Sequence, residues 1–296
     1  MVKVCEKQFP KGSNPKQKSD GFYMDGYLKE NLDILAEKIA DDQQFVILIS
    51  GSGQVRVGKS VLAQQIGSYL TYKVREMHRV RNNKFDLSNI VFKAKDLKKK
   101  ALELPKYSVV TLDEGDDLTE HYLSALSKEL RKFFRKCGQL NQFIILLLPD
   151  FFELPRSYAI TRSICLVDVH FYKKFERGYF KFYNFKAKKN LYLRGKKFSD
   201  YDIVNPNFSG RFTNFYTVNE TAYRSKKWRD LSNIDEAEEK TITQKLKDNN
   251  VILFKKLYQN LGLTIAKLAQ GFGISLRTAH RWLDTKDKMT GDNDNE

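Results

Sequence analysis

FVILISGSGQVRVGKSVLAQQIGSY, residues 45–69, is the stretch from which the fold of this chain is read. Five consecutive apolar residues, 45–49, run into a glycine-bearing loop, and a helical pattern begins near Lys59. A short apolar run bounded by turn residues reads as a buried strand, so the order is strand, loop, helix. Within it, residues 53–60 read GQVRVGKS and match G-x-x-x-x-G-K-[ST] at every fixed position. That spacing suits a polyphosphate. Successive backbone N–H groups must curl round it, and at Gly53 and Gly58 only a residue with permissive dihedrals allows this. Helix N-terminal amides add partial positive charge. Lys59 is placed to reach phosphate oxygens and the Ser60 hydroxyl to sit in a Mg²⁺ shell, with Gly53, Val57, Gly58, Lys59, Ser60 and Val61 as the candidate nucleotide contacts.

A chain of 296 residues with 41% hydrophobic content can bury one large or two medium cores. The longest apolar run, 143–148, is strand-sized, so no membrane partner is expected. The polar N-terminus lacks a secretory signal, which makes the cytoplasm the expected location. Cys5, Cys137 and Cys165 are too few and scattered for a disulfide framework, and the four histidines show no metal-ligand spacing with them. Lysine and arginine exceed acidic residues by 16, and a balance this basic favours a polyanionic partner, nucleic acid above all.

Along the chain, residues 1–20 read as a flexible basic arm. Leu28, Leu32, Leu35 and Ile39 then recur at helical spacing and lead into the P-loop strand, opening a core expected over 21–172. A strand is expected over 89–94, a helix over 96–104 ended by Pro105, and a further strand over 107–112. This last strand delivers Asp113 and Glu114 at its C-terminal end, where an open parallel sheet keeps its ligand crevice. The pair fits a Walker B element, with Asp113 holding magnesium through a water and Glu114 polarising the attacking water. Residues 118–136 read as an amphipathic helix, and QFIILLLPD and ICLVDVHF as buried parallel strands.

The chain from about 25 to 171 resembles the RecA-like branch of P-loop ATPases, and more narrowly the additional-strand motors of the FtsK/HerA type with phage Zot-like and genome-packaging ATPases. GQVRVGKS, VVTLDEGDD and the helix, strand, basic loop and strand after them carry the resemblance. It implies an α/β fold with a mostly parallel sheet, ATP and Mg²⁺ as cofactors, and a γ-phosphate sensor after the strand that follows Walker B. Asp150 is the candidate sensor; the chain has Pro149–Asp150 where the FtsK-like group commonly has a glutamine. Arg156 and Arg162 are candidates for an arginine finger supplied to a neighbour in a homo-oligomer such as a ring, or for surface ion pairs.

Residues 173–222 alternate aromatics with Lys181, Lys186, Lys188, Lys189, Arg194, Lys196 and Lys197, the pattern of a basic β-hairpin region. Those cations either clamp a phosphate backbone or guard a sheet edge. Residues 223–250 read as a charged linker that turns helical, and 285–296 as a polar tail. Between them, LAQGFGISLRTAHRWL within 251–284 resembles the helix-turn-helix family: Ala269 where helices touch, Gly273 at the turn, Ser275 as cap. Ser275, Arg277, Thr278, His280 and Arg281 would then face DNA, or the small all-α module would dock a protein. Two functions follow from these readings. One is an ATP-hydrolysing oligomeric DNA motor for translocation, packaging or remodelling in a phage or mobile element. The other is an ATP-dependent DNA-binding switch or loader, such as a partition or transposition helper.

Overall fold

The computed structural model describes residues 1–13, 17, 19–113, 133–134, 137–261 and 263–284, with the backbone alone described at 94–95, 231–248 and 261. The chain divides into two units, Met1–Lys227 and Trp228–Glu296. In the first, seven strands form one sheet in the order β4-β5-β6-β3-β7-β8-β9. These are β3 (Phe45–Ser50), β4 (Ile90–Val91), β5 (Val109–Leu112), β6 (Phe143–Leu147), β7 (Cys165–Tyr172), β8 (Glu176–Tyr183) and β9 (Phe208–Arg211). The five strands from β4 to β7 run parallel, and β8 and β9 are added antiparallel. An α/β architecture with a mostly parallel sheet is therefore present. β6 lies between β3 and β5, pairing Ile47 with Ile145 on one side and Thr111 with the same Ile145 on the other.

The period of two along β3 explains why every one of its residues is apolar or small. Phe45, Ile47 and Ile49 face a core with Leu28, Leu32 and Ala36 of α1 (Gly26–Lys38) and Leu62, Ile66 and Leu70 of α2 (Lys59–His78). Val46 and Leu48 face the opposite core, with Leu97 and Ala101 of α3 (Ala94–Glu103) and Leu191 and Tyr192 of α4 (Phe185–Gly195). Helices thus cover both faces of the sheet. Asp25 caps α1 by accepting from the Leu28 N–H at 3.0 Å. Among the described residues, no helix is long and apolar enough to cross a membrane.

Several expectations change here. The strand expected over 89–94 shrinks to Ile90–Val91, because Ala94 already begins α3. The N-terminal arm starts with β1 (Val2–Val4), paired antiparallel with β2 (Phe22–Met24), and Val4 and Cys5 are buried. In the basic region, strand alternation ends at Tyr183. Asn184 then accepts from the Ala187 N–H at 3.0 Å, and Lys188, Leu191 and Tyr192 bury themselves at helical spacing, so 185–195 is helix α4 and not a second hairpin strand. Lys188 cannot clamp a phosphate backbone. It is fully buried and donates to Ala159 O and to Ser163 Oγ at 2.8 Å, with burial lowering its pKa to about 8. Lys181 pairs with Asp202 at 2.5 Å.

The second unit carries most of α5 (Glu220–Leu261), then α6 (Ile265–Gly271) and α7 (Leu276–Asp284). Its core is small: Phe254, Leu268, Ala269 and Ala279 are buried, and Phe254, Phe272 and Trp282 meet edge to face. Gly273 has φ +63 in the turn, and Ser275 Oγ accepts from the Thr278 N–H at 3.2 Å to cap α7.

Candidate functional site

The loop between β3 and α2 is where the motif residues converge. Ser52, Gly53, Arg56 and Gly58 all have positive φ, +110 at Gly58, which is the left-handed residue immediately before α2. Loop and neighbouring strand are stitched together. The Gly53 N–H donates to Pro149 O at 3.0 Å and Lys59 Nζ to Leu148 O at 2.8 Å, both carbonyls lying just past β6. The N–H groups of Val57, Gly58 and Ser60 have no acceptor among the described residues, although Val57 is buried. No side chain caps α2. A helix start left with free amides beside a lysine is the environment that a phosphate group satisfies.

Asp113, buried at the end of β5, stands across from this helix start. Ser60 Oγ donates to its Oδ1 at 3.2 Å. Its Oδ2 accepts from the Tyr223 hydroxyl, and Lys227 Nζ lies 3.8 Å from Oδ1. Ser60 and Asp113 together offer the hard oxygen donors that Mg²⁺ prefers, so the residues fit a Mg²⁺-nucleotide. Glu114 lies outside the described residues. Asp150 follows β6 as expected, and its Oδ1 accepts from the Phe152 N–H at 3.0 Å and from the Tyr201 hydroxyl at 2.6 Å. The Tyr201 hydroxyl also sits 3.0 Å from Ser50 Oγ, at the end of β3. Asp150 is thereby tied to the strand that feeds the loop. Arg156 precedes a π-helical turn (Ser157–Arg162) that Arg162 ends; both are exposed, and no hydrogen bond or ion pair among the described residues joins either to the loop between β3 and α2. In the second unit Ser275, Arg277, His280 and Arg281 are exposed and Thr278 is half-buried.

Comparison with protein-family models and with curated proteins finds no match to this chain.

Four residues of the site escaped the sequence reading. Tyr201, Tyr223 and Lys227 lie in segments that carried no motif. Asp168 is different, since a lone carboxylate inside the apolar run ICLVDVHF was a signal in itself. It is buried on β7 and accepts from Ser52 Oγ at 2.7 Å, with burial pushing its pKa up to about 7 from 3.8. The unfolded carboxyl loses its proton first as pH rises, so the contribution of this acid to stability is present below about pH 4 and lost by about pH 7. Asp168→Asn is expected to flatten that dependence and to stabilise the protein at pH 8 by about 2–4 kcal/mol. Denaturant unfolding at pH 5.5 and pH 8 measures it; an equal change at both pH values would refute the assignment.

Proposed function

We propose that this chain is a P-loop ATPase of the RecA-like additional-strand group that acts on DNA as an oligomeric motor. The observation that carries this reading is the hydrogen bond between Ser60 at the start of α2 and Asp113 at the end of β5, two strands apart with β6 between them. An interposed strand is what the additional-strand resemblance implies. In this reading the amides of Val57, Gly58 and Ser60 bind phosphate oxygens, Lys59 leaves its carbonyl for the β and γ phosphates, and Ser60 and Asp113 hold Mg²⁺. Held there, Mg²⁺ would offset the phosphate charge. Glu114, next after Asp113, is the carboxylate assigned to polarise the attacking water. Asp150 senses the γ-phosphate, and its bond to Tyr201 passes the signal towards β3. Exposed Arg156 or Arg162 completes the site of a neighbouring copy.

The net charge of +16 supports DNA as the polymer handled, and the exposed Ser275, Arg277, His280 and Arg281 support a helix-turn-helix that reads it. Charge alone gives sequence-blind binding that collapses as salt rises. Base contacts add on the order of 1–3 kcal/mol per good bidentate pair. Removing residues 251–296 is therefore expected to leave ATP hydrolysis intact and to flatten any preference among DNA sequences. Arg277→Ala with Arg281→Ala should reproduce that loss, because neither belongs to the small core of Phe254, Leu268, Ala269 and Ala279. Selection from a random DNA pool at two salt concentrations tests this. Identical profiles for intact and truncated protein would remove DNA reading from the module and leave protein docking.

A further inference from the structure

Asp113 is buried, and a buried carboxylate needs compensation. Two residues of one helix supply it. Tyr223 and Lys227 lie four apart on α5 and therefore on one face, which they turn towards Asp113. Their delivery is anchored on both sides. Upstream, Gln65 Nε2 donates to Thr213 O at 2.6 Å and to Phe215 O at 3.0 Å, and Thr217 Oγ1 donates to Gln64 O at 3.0 Å, which ties the approach to α2. Asn219 caps the helix start through the Ala222 N–H at 2.9 Å. On the other side, Lys226 Nζ donates to Leu87 O at 3.1 Å and Ile90 O at 2.5 Å, holding the first two turns of α5 at the β4 end of the sheet.

The two contacts differ in kind. The Tyr223 hydroxyl donates to Oδ2 from a buried ring. That bond fixes the carboxylate with Oδ1 turned to Ser60. The Lys227 ammonium meets Oδ1, the same oxygen that Ser60 bonds, and its side chain keeps 29% exposure against 4% for Asp113. An ammonium on a flexible four-carbon stem can withdraw to solvent, which a buried hydroxyl on a packed ring cannot.

We propose that Lys227 is the resident counter-ion of Asp113, competing with the divalent cation for Oδ1, and that Tyr223 is the positioning residue that aims Oδ1 at the metal. The inference rests on the nucleotide reading of the P-loop and adds to it a rule for loading. A divalent cation alone is repelled by the ammonium. A cation arriving with a polyphosphate has its charge offset and meets less repulsion, so it can displace Lys227 from Oδ1, and metal and nucleotide bind as a pair.

The test is Mn²⁺ binding to the full chain, followed by the loss of the free-ion electron paramagnetic resonance signal, with and without a non-hydrolysable ATP analogue. The fraction abolished by Asp113→Asn defines the site. Without nucleotide, Lys227→Met should tighten that fraction roughly tenfold over wild type. Lys227→Arg should stay like wild type, and Tyr223→Phe should weaken Mn²⁺ several-fold while metal-free analogue affinity stays unchanged. Thermal unfolding of each variant shows that it is folded. If Lys227→Met leaves Mn²⁺ affinity unchanged or weaker while Asp113→Asn still removes binding with the analogue, the counter-ion role is wrong and the nucleotide site stands. Equal loss of metal-free analogue affinity in Tyr223→Phe would overturn the positioning role. If Asp113→Asn has no effect even with the analogue present, the P-loop reading falls as well.

Discussion

Lys59→Ala is expected to lower ATP turnover on the order of a hundredfold to a thousandfold, the range seen when a single pre-organised charge partner of the transition state is removed. The loss is chemical and not structural. Lys59 Nζ donates to Leu148 O, just beyond β6, and a neutral carbonyl losing one such partner costs the fold about 1 kcal/mol. No other cation of the described loop replaces it, because Arg56 sits on the exposed turn ahead of Gly58. Phosphate release and binding of a fluorescent ATP analogue should therefore both fall while the unfolding midpoint moves little. A folded variant with wild-type turnover would contradict the assignment.

Gly58→Ala attacks the same site through the backbone. At φ +110 an L-residue is strained by on the order of 1–3 kcal/mol, and a Cβ there would come 3.0 Å from Cζ of Phe212. The loop relieves the strain by turning Gly58 out of the left-handed region, which carries the Ser60 hydroxyl away from Asp113. Nucleotide affinity is expected to fall by on the order of a hundredfold, with a stability loss of about 1–3 kcal/mol. Adding Phe212→Ala relieves the contact but not the dihedral, so it should recover little affinity. Full recovery in the double variant, read by analogue titration, would show that the ring and not the backbone makes glycine necessary.

What the sequence disclosed of this molecule follows from the range of the interactions involved. The P-loop is local: Gly53, Gly58, Lys59 and Ser60 span eight positions, and the strand before and helix after them are set by their own hydrophobic periods. The cap and turn of the last unit are local too, so Gly273 and Ser275 adopt the backbone and hydrogen-bond roles their residue types suggest. Helix α4 looks like a strand in sequence because it follows the alternating ERGYFKFY of β8 without a glycine or proline break, while the deciding cap, Asn184, is one residue that a strand pattern does not weigh. Tyr223 reaches Asp113 across 110 positions, and Tyr201 reaches Asp150 across 51. Nothing in the neighbours of either tyrosine encodes such a contact; the sheet order that brings the ends of β5 and β6 to one side does.

Phosphate release by the full chain, compared between wild type and Glu114→Gln with Mg²⁺ and DNA present, measures ATP hydrolysis at this loop directly. Wild type should release phosphate only with Mg²⁺ and faster with DNA. Glu114→Gln should bind the nucleotide as tightly and release almost none. Phosphate release at the wild-type rate by Glu114→Gln, or a folded wild-type chain that neither binds the analogue nor releases phosphate, would contradict the account.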